Sequence, residues 1–326
     1  MTLTTIARAC ILVAATFGML TGTAAAQPAY PGKPIRMIVP YATGGSVTIL
    51  ARYVSQKLNE AWGQQVIVDN RPGGNTVIGS EALAKSAPDG YTIMLTSMDL
   101  VTVPHLLNTP FDAIRDFVPV ATIGVSEFVM VLNPAVPAGS LPEFIDLAKS
   151  RPGRLNFASA GGGSPAHIAA ESFNIAAGVK MQHVPYKGGA PAITDLIGGQ
   201  VDLYFSPIIT VLPHIKAGRL KPIATSGNAR SAALPQVATF SEGGLPGLDI
   251  RLWFALFAPA GTPREITDRI SAEVDKMLKT PDFREKLVSQ GMEPFITTNE
   301  QFSALMRSEL TKFGRVIKAA NIRLDN

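Results

Sequence analysis

The segment Ile35-Arg-Met-Ile-Val39 leads into the turn Pro40-Tyr-Ala-Thr-Gly44-Gly45 and then into residues 46–62, where apolar side chains recur every three or four positions. The apolar run predicts a buried strand, the glycines predict a turn, and the spacing predicts an amphipathic helix. The alternation continues through a strand at 65–69, a helix at 78–86 and a strand at 91–96. This order predicts an α/β fold with a largely parallel sheet.

A second series of strands and helices begins near Phe128. Its predicted members are strands at 129–132 and 155–158, a helix at 141–150, and a helix with Ser164 as N-cap, Pro165 in its first turn and Gly178 after its end. Three helices are predicted to finish the chain, at 263–279, 282–290 and 299–320. Thr262 and Glu265 are predicted to form a capping box at the first of these.

The N-terminal segment matches a secretory signal peptide, so we expect cleavage after Ala26 and export to the periplasm. Its apolar run, residues 10–20, is little more than half of the roughly 20 residues that cross a bilayer. The one cysteine, Cys10, lies in this segment, which leaves the rest of the chain without a thiol nucleophile, disulfide or thiolate metal site. The formal charge of +4 is spread without basic runs, so no nucleic-acid partner is expected.

The chain after the predicted signal is long enough for two ordinary domains. No long linker separates them, so the apolar stretches 121–132 and 252–259 are predicted to cross between two lobes as strands. The predicted lobes are residues 27–126 together with 252–326, and residues 127–251.

Two turns share one design, in which a strand leads to a glycine-rich turn and then to a helix opened by serine. They are residues 41–46 and 159–164, one in each predicted lobe. The free amides and the positive dipole end of each helix make each turn a candidate anion cradle. Amides, ordered water and the hydroxyls of Thr43, Ser46, Ser159 and Ser164 would hold one carboxylate as the lobes close. Neither turn has the spacing of a phosphate loop or a dinucleotide fingerprint.

An esterase is a remote alternative, because Gly162-Gly-Ser164-Pro-Ala166 approximates a nucleophile elbow and His214 follows two aspartates, Asp195 and Asp202. Pro165 opposes this interpretation, because it lacks the N–H that an oxyanion hole needs at that position. The four histidines, at 105, 167, 183 and 214, show no metal-binding spacing, so no metal is expected. His167 and Tyr186 fit pocket lining or ordinary packing.

Several further segments, taken together, resemble one family of proteins. They are Tyr30-Pro-Gly-Lys-Pro-Ile35, the turn at Gly44-Gly45, Val68-Asp-Asn-Arg-Pro-Gly73, Ala87-Pro-Asp-Gly-Tyr91, His183-Val-Pro-Tyr-Lys-Gly188, Ile197-Gly-Gly-Gln-Val-Asp202, Leu212-Pro-His-Ile-Lys-Ala-Gly218 and Ala258-Pro-Ala-Gly-Thr-Pro263. The chain beyond the signal resembles the substrate-binding receptors of tripartite tricarboxylate transporters, the Bug receptors.

This resemblance implies a type II periplasmic binding-protein fold with a cleft between two α/β lobes. It also implies a monomeric receptor without cofactor or metal, which does no catalysis and delivers a carboxylate to membrane permease subunits. A receptor for a membrane sensor is the alternative. Carried over by position, the ligand-binding residues are Tyr41, Ala42, Thr43, Gly44, Gly45, Ser46, Thr48, Ser97, Met98, Ser159, Ala160, Gly161, Gly162, Gly163, Ser164, His167, Tyr186, Phe205 and Ser206.

The sequence departs from the family pattern at Thr48 and Ser206, where many relatives have aspartate. Both changes remove acidic groups, so an amine would lose a partner and a second carboxylate would lose a repulsion of about 1 kcal/mol or more. The expected ligand is therefore a dicarboxylate or an aromatic carboxylate such as a phthalate isomer. Apolar side chains expected near the cleft, with core packing as the alternative, are Tyr41, Met98, Phe128, Phe205 and Trp253.

Overall fold

The computed structural model describes residues 30–248 and 250–323. The predicted signal peptide and its cleavage after Ala26 lie outside these residues. From Lys33 onward the described residues belong to one unit, while residues 30–32 belong to a separate N-terminal unit. Within the described part of the chain, no helix combines the length and apolar character that a membrane crossing requires.

The first group of elements, sheet half A, carries the first glycine turn. Its strands are β1 (Ile35–Val39), β2 (Val66–Asn70), β3 (Thr92–Ser97), β9 (Arg251–Pro259) and β10 (Met292–Pro294). Its helices are α1 (Ser46–Trp62), α2 (Val77–Ala84) and α3 (Asp99–Thr102), with a 3-10 turn at Val103–His105. β1 lies between β2 and β3 and is parallel to both, while β9 runs antiparallel to β3.

The second group, sheet half B, carries the second glycine turn. Its strands are β5 (Asn156–Ser159), β6 (Gln182–Pro185), β7 (Leu203–Pro207) and β8 (Lys221–Thr225). Its helices are α4 (Leu141–Ser150), α5 (Pro165–Ala177), α6 (Gly189–Ile197) and α7 (Ile208–Lys216). β5 lies between β6 and β7 and is parallel to both.

One long strand, β4 (Phe117–Leu132), belongs to both halves. Residues 117–127 pair with β9, and residues 128–132 pair with β7 and β8. All of these pairings are antiparallel, as is that of β10 with β4. The prediction of a largely parallel sheet is therefore wrong, because antiparallel strands join two parallel groups into a mixed sheet. The division into lobes at residues 126 and 252 stays a prediction.

The predicted helix over residues 46–62 is confirmed at both ends. Gly45 precedes it in an extended conformation, and Gly63 ends it in the left-handed conformation that glycine adopts without strain. The apolar side chains predicted to share a face are buried: Val47, Leu50, Ala51, Val54 and Leu58. Burial of this face fixes the first glycine turn above β1, because the turn joins the strand directly to the helix.

The boundaries of α5 follow the same local chemistry. The Ser164 hydroxyl accepts a hydrogen bond from the His167 amide, Pro165 occupies the first turn, and Gly178 ends the helix at φ 62°. These are the three signals read from the sequence. The helix α5 thus starts where the second glycine turn ends.

The chain closes with α8 (Arg264–Lys279), α9 (Pro281–Ser289) and α10 (Asn299–Ala319). The capping box predicted at Thr262 is wrong. The Thr262 hydroxyl donates instead to the Pro259 carbonyl at 2.8 Å, and Pro263 precedes the helix without a side-chain cap. A capping box occurs at α10, where Thr298 and Gln301 bond to each other's backbone amides.

Candidate functional site

The first glycine loop, the turn of residues 41–46, connects β1 to α1 at the carboxyl end of a parallel strand. Ala42, Thr43 and Gly44 are exposed, whereas Tyr41, Gly45 and Ser46 are half-buried. Ligands of α/β proteins commonly bind at this edge of the sheet. The loop therefore presents exposed backbone and one hydroxyl at the position where a solute site is expected.

Thr48, in the first turn of α1, stabilises the first glycine loop through hydrogen bonds. Its buried hydroxyl donates to the Ala42 carbonyl at 3.2 Å and accepts from the Asn70 side-chain amide at 3.0 Å. The same Asn70 amide donates to the Tyr41 carbonyl at 2.9 Å. The buried threonine thus bonds to the loop itself.

A buried carboxyl group lies beside the first glycine loop. Asp99, the first residue of α3, accepts hydrogen bonds from the Tyr41 hydroxyl and the Ser97 hydroxyl, both at 2.7 Å. Burial raises the pKa of Asp99 above its ordinary value, although the two hydrogen bonds act in the opposite direction. Burial, followed by the charge of Asp99, also raises the pKa of Tyr41. The structure thus brings Tyr41 and Ser97 together, with Met98 buried between Ser97 and the aspartate.

The second glycine loop, residues 159–164, connects β5 to α5. Ala160, Gly161, Gly162 and Ser164 are half-buried, while Ser159 and Gly163 are buried. The Ser159 hydroxyl lies 2.8 Å from the Gly161 carbonyl and 3.1 Å from the Gly161 amide. Ser159 therefore shapes the turn through its own contacts.

Two histidines lie against the second glycine loop. His167 accepts a hydrogen bond from the Gly163 amide through Nδ1 at 3.0 Å, and His183 Nε2 is 2.6 Å from the Ser159 hydroxyl. Burial and then the charge of His167 lower the pKa of His183 to about 3. The two rings thus hold two different parts of the loop.

Tyr186 is also adjacent to the second glycine loop. Its amide donates to the Ser159 carbonyl at 3.1 Å, and the Gly188 amide donates to the Ala160 carbonyl at 3.1 Å. The Tyr186 hydroxyl donates to Asp195 at 2.8 Å. Burial, followed by this hydrogen bond, raises the pKa of Tyr186 to about 12. The structure therefore brings Tyr186 to the loop through its backbone.

Phe205 and Ser206 lie in the interior of sheet half B. The Phe205 ring packs against Phe173 and Phe240, with centroid distances of 5.5 and 5.9 Å. The Ser206 hydroxyl donates to the Pro207 carbonyl at 3.2 Å and lies 3.1 Å from the Thr210 hydroxyl. These are the contacts of core residues, and a role of either residue in ligand binding stays a prediction.

Residues of sheet half A contact the second glycine loop. The Asn75 side-chain amide donates to the Gly162 carbonyl at 3.3 Å. Leu106 packs so closely over Gly163 that a Cβ there would lie 1.9 Å from Leu106 Cδ1. Segments from both halves thus meet around this loop.

The helices behind the two glycine loops begin without acidic side chains. Neither α1 nor α5 has an acidic residue in its first turn. A carboxylate in that position would offset the positive end of the helix dipole. Both helix starts therefore retain the electrostatic character that favours an anion.

The residues proposed for an esterase take other partners. The Ser164 hydroxyl caps α5, and His214 Nδ1 lies 2.7 Å from the Arg219 guanidinium. Burial and the Arg219 charge lower the pKa of His214. Among residues 30–248 and 250–323, no three side chains form a metal-binding group.

Several residues at the site were missed in the sequence, namely Asn70, Asn75, Asp99, Leu106, His183 and Asp195. Asp99 had a usable signal, because it follows the carboxyl end of a strand beside two predicted site residues. The Asn75 contact had none, because it spans 87 positions of the chain.

The family is shown by comparison with known proteins. The model of the tripartite tricarboxylate transporter family receptor matches residues 50–322. Protein BugT of Bordetella pertussis is 36% identical over 298 residues, which cover 90% of this chain and 91% of BugT.

Two similar solved structures contain ligands. A structure of an R. palustris protein with adipate is 30% identical with a TM-score of 0.87, covering 91% of this chain and 100% of that one. MatC from Rhodopseudomonas palustris with bound malate is 28% identical with a TM-score of 0.80, covering 88% and 100%.

The α/β fold is that of a periplasmic solute-binding protein. The chain belongs to the receptor family of tripartite tricarboxylate transporters, whose members bind solutes and are not enzymes.

Proposed function

We propose that the protein binds a small carboxylate between the first and second glycine loops and delivers it to membrane permease subunits of the tripartite type. In this proposal the receptor acts as a monomer in the periplasm, after cleavage at Ala26. The two predicted lobes close on the solute by bending where β4 passes from one sheet half to the other.

The observation that carries the proposal is the electrostatic character of the two helix starts. Each glycine loop leads into a helix without an acidic first turn, so amide groups and dipole together favour a negative ligand. Gly45 leaves open space at the first helix, where a Cβ would meet only the Ala42 carbonyl at 4.0 Å. A carboxylate oxygen can therefore approach this backbone closely.

The ligand-bound relatives support a dicarboxylate. Adipate and malate occur in two solved structures of similar proteins. Both are dicarboxylic acids, and this chain has Thr48 and Ser206 where acidic side chains are frequent in the family. We favour a dicarboxylate or an aromatic carboxylate such as a phthalate isomer.

Asp99 is an acidic group beside the first glycine loop, and it bears on the affinity for a dicarboxylate. Its carboxyl lies beside Tyr41 and would repel an anion when ionised. Because its pKa is raised by burial, the neutral form is favoured over a wider pH range than for an exposed aspartate. A bound dicarboxylate therefore meets less repulsion than the presence of an aspartate alone implies.

A thermal-shift screen of the purified protein tests this function. The panel contains aliphatic and aromatic dicarboxylates, monocarboxylates and amino acids. A ligand that binds only the folded protein stabilises it by about 2.7 kcal/mol at 100 times its dissociation constant. We expect one group of carboxylates to raise the melting temperature. A rise with amines or neutral solutes, and none with carboxylates, would contradict the proposal.

A substitution at Gly45 links binding to the first glycine loop. Gly45→Leu places a side chain in the space assigned to the ligand, and its φ of −81° is accessible to any residue. Gly198→Leu is the matched control, because Gly198 is exposed, has φ −75° and lies after α6. We expect both variants to fold and only Gly45→Leu to lose the carboxylate-induced shift.

A further inference from the structure

The short loop of residues 73–76 has an unusual backbone. Gly73, Gly74, Asn75 and Thr76 have φ angles of 124°, 55°, 50° and 75° in succession. Within the described part of the chain, only three residues other than glycine have positive φ, and two of them are Asn75 and Thr76. Such conformations persist where the surrounding structure holds them, and they cluster at functional positions.

This loop is held firmly against sheet half A. It leads into α2, where a Cβ on Gly79 would lie 2.6 Å from the Pro40 side chain and 2.9 Å from the Arg71 carbonyl. The Thr76 hydroxyl is buried and has no hydrogen-bond partner among the described residues. Close packing on Pro40 connects the loop to the strand that carries the first glycine loop.

From this position Asn75 reaches the second glycine loop. Its Nδ2 donates to the Gly162 carbonyl at 3.3 Å, and its Oδ1 lies 3.6 Å from the place of a Cβ on Gly161. Asn75 is itself exposed, so burial does not account for its left-handed conformation. The left-handed conformation instead accompanies the hydrogen bond that the Asn75 side chain makes across to sheet half B.

A second contact also joins sheet half A to the second glycine loop. Leu106, which follows the 3-10 turn of half A, occupies the space over Gly163. Asn75 and Leu106 therefore hold two successive glycines of one loop, the former by a hydrogen bond and the latter by packing. Two half-A segments, both from the region between β2 and β4, make these contacts.

We propose that Asn75 is a positioning residue that latches the closed state of the receptor. Its hydrogen bond to Gly162 keeps the second glycine loop against sheet half A and slows opening. The role of closure in solute retention rests on the function proposed above, but the latch itself is independent of which solute binds.

The first experiment measures closure without relying on a solute. Spin labels are attached to Ile67→Cys in β2 and Ile175→Cys in α5 of the chain that begins at Gln27, which has no other cysteine. Both isoleucines are more than half exposed and lie in different halves. Asn75→Asp keeps the shape of the side chain and tolerates positive φ, but it replaces the donor with an acceptor facing a carbonyl. We expect the ratio of short to long distances to fall about two- to fivefold, as for loss of one exposed neutral hydrogen bond.

Two further variants distinguish a latch from a local folding effect. Asn75→Gly removes the side chain without backbone strain and is expected to give a similar shift. Asn321→Asp is the matched control, because Asn321 also has φ 50° but lies beyond α10. An unchanged ratio in both Asn75 variants, or an equal shift in Asn321→Asp, would overturn the proposal.

Adipate then serves as a probe of release. If adipate binds, its dissociation rate should increase in Asn75→Gly, which adds no charge, by the same factor as the distance ratio falls, with little change in the unfolding midpoint. An unchanged adipate dissociation rate, together with a lower ratio of short to long distances, would mean that Asn75 has no role in retaining the solute. If no carboxylate binds, the proposed function fails, while the distance measurement still decides whether the latch exists.

Discussion

The imidazole ring of His183 stacks on that of His167, with centroids 3.6 Å apart and planes inclined by 19°. The two residues come from different elements, β6 and α5, and each contacts a different part of the second glycine loop. The Phe157 ring stacks on His183, with ring centroids 5.0 Å apart. The second glycine loop is thus supported by two stacked rings that come from separate elements of the fold.

The stack predicts a loss of stability in acid. The folded-state pKa of His183 is about 3, against 6.5 in the unfolded chain, so between these values the unfolded chain binds a proton that the folded protein does not. The free energy of unfolding should therefore fall as the pH is lowered from about 6.5 towards 3. Urea unfolding across this range should show a steeper decline for the wild type than for His183→Gln.

The variant also controls for other groups that titrate near the stack. Glu171 Oε1 lies 3.8 Å from His167 Nε2, and both of these side chains are present in the two proteins. The difference between the two curves therefore reports the removal of His183, including its effect on the stacked His167. Parallel curves would show that His183 keeps an ordinary pKa in the folded protein.

Gly163 and Leu106 predict a strong coupling between two substitutions. Gly163→Ala meets Leu106 Cδ1 and must hold φ 71°, so we expect it to reduce the free energy of unfolding by about 1–3 kcal/mol. Leu106→Ala in the same protein removes the clash but not the strained φ, and should restore part of this loss. A double-mutant cycle by urea unfolding measures the coupling. Additive effects would mean that Leu106 simply rotates away.

Local chemistry explains which parts of the fold could be predicted. The helix over 46–62 and α5 were predicted with correct ends, because glycine, serine and proline at their boundaries act within a few residues. The stretch 121–132 was predicted as a strand, but the first residues of β4, 117–120, were missed, since Pro119 interrupts the apolar pattern there. Its pairing with β9 on one part and β7 on the other is decided by tertiary contacts.

The candidate site shows the same limit. Both glycine loops follow from short motifs, but their supports come from distant positions, such as Asp99 for Tyr41 and His183 for Ser159. No repeating pattern in the sequence indicates that these residues are in contact. Thr48 and Ser206 predicted a less acidic pocket, and a buried aspartate, Asp99, nevertheless lies beside the first glycine loop.

The two capping-box candidates yield a direct comparison. Thr298→Ala removes the hydroxyl that accepts from the Gln301 amide at 3.2 Å, and should cost about 1 kcal/mol of stability. Glu265→Ala should cost much less, because no capping box forms at α8. Chemical denaturation of both variants tests this difference. Equal losses of stability in the two variants would mean that Thr262 and Glu265 form a capping box in solution.

Tyr41 and Asp99 predict opposite effects for two conservative substitutions. Tyr41→Phe removes a donor from a buried carboxyl and should lower the free energy of unfolding by about 1–3 kcal/mol at pH 8. Asp99→Asn removes the group whose ionisation is opposed by burial, so it should remain close to the wild type at that pH or exceed it.

The pH dependence of Asp99→Asn gives the sharper measurement. Because the pKa of Asp99 is raised above its unfolded value of 3.8, the folded protein holds a proton that the unfolded chain has already lost. The contribution of Asp99 to the free energy of unfolding is therefore greatest below pH 3.8, and it declines as the pH rises through the raised pKa. Urea unfolding at pH 4.5 and pH 8 should show Asp99→Asn gaining on the wild type at the higher pH. A variant that instead loses ground at pH 8 would mean that the ionised carboxylate, held by Tyr41 and Ser97, is itself the stabilising form.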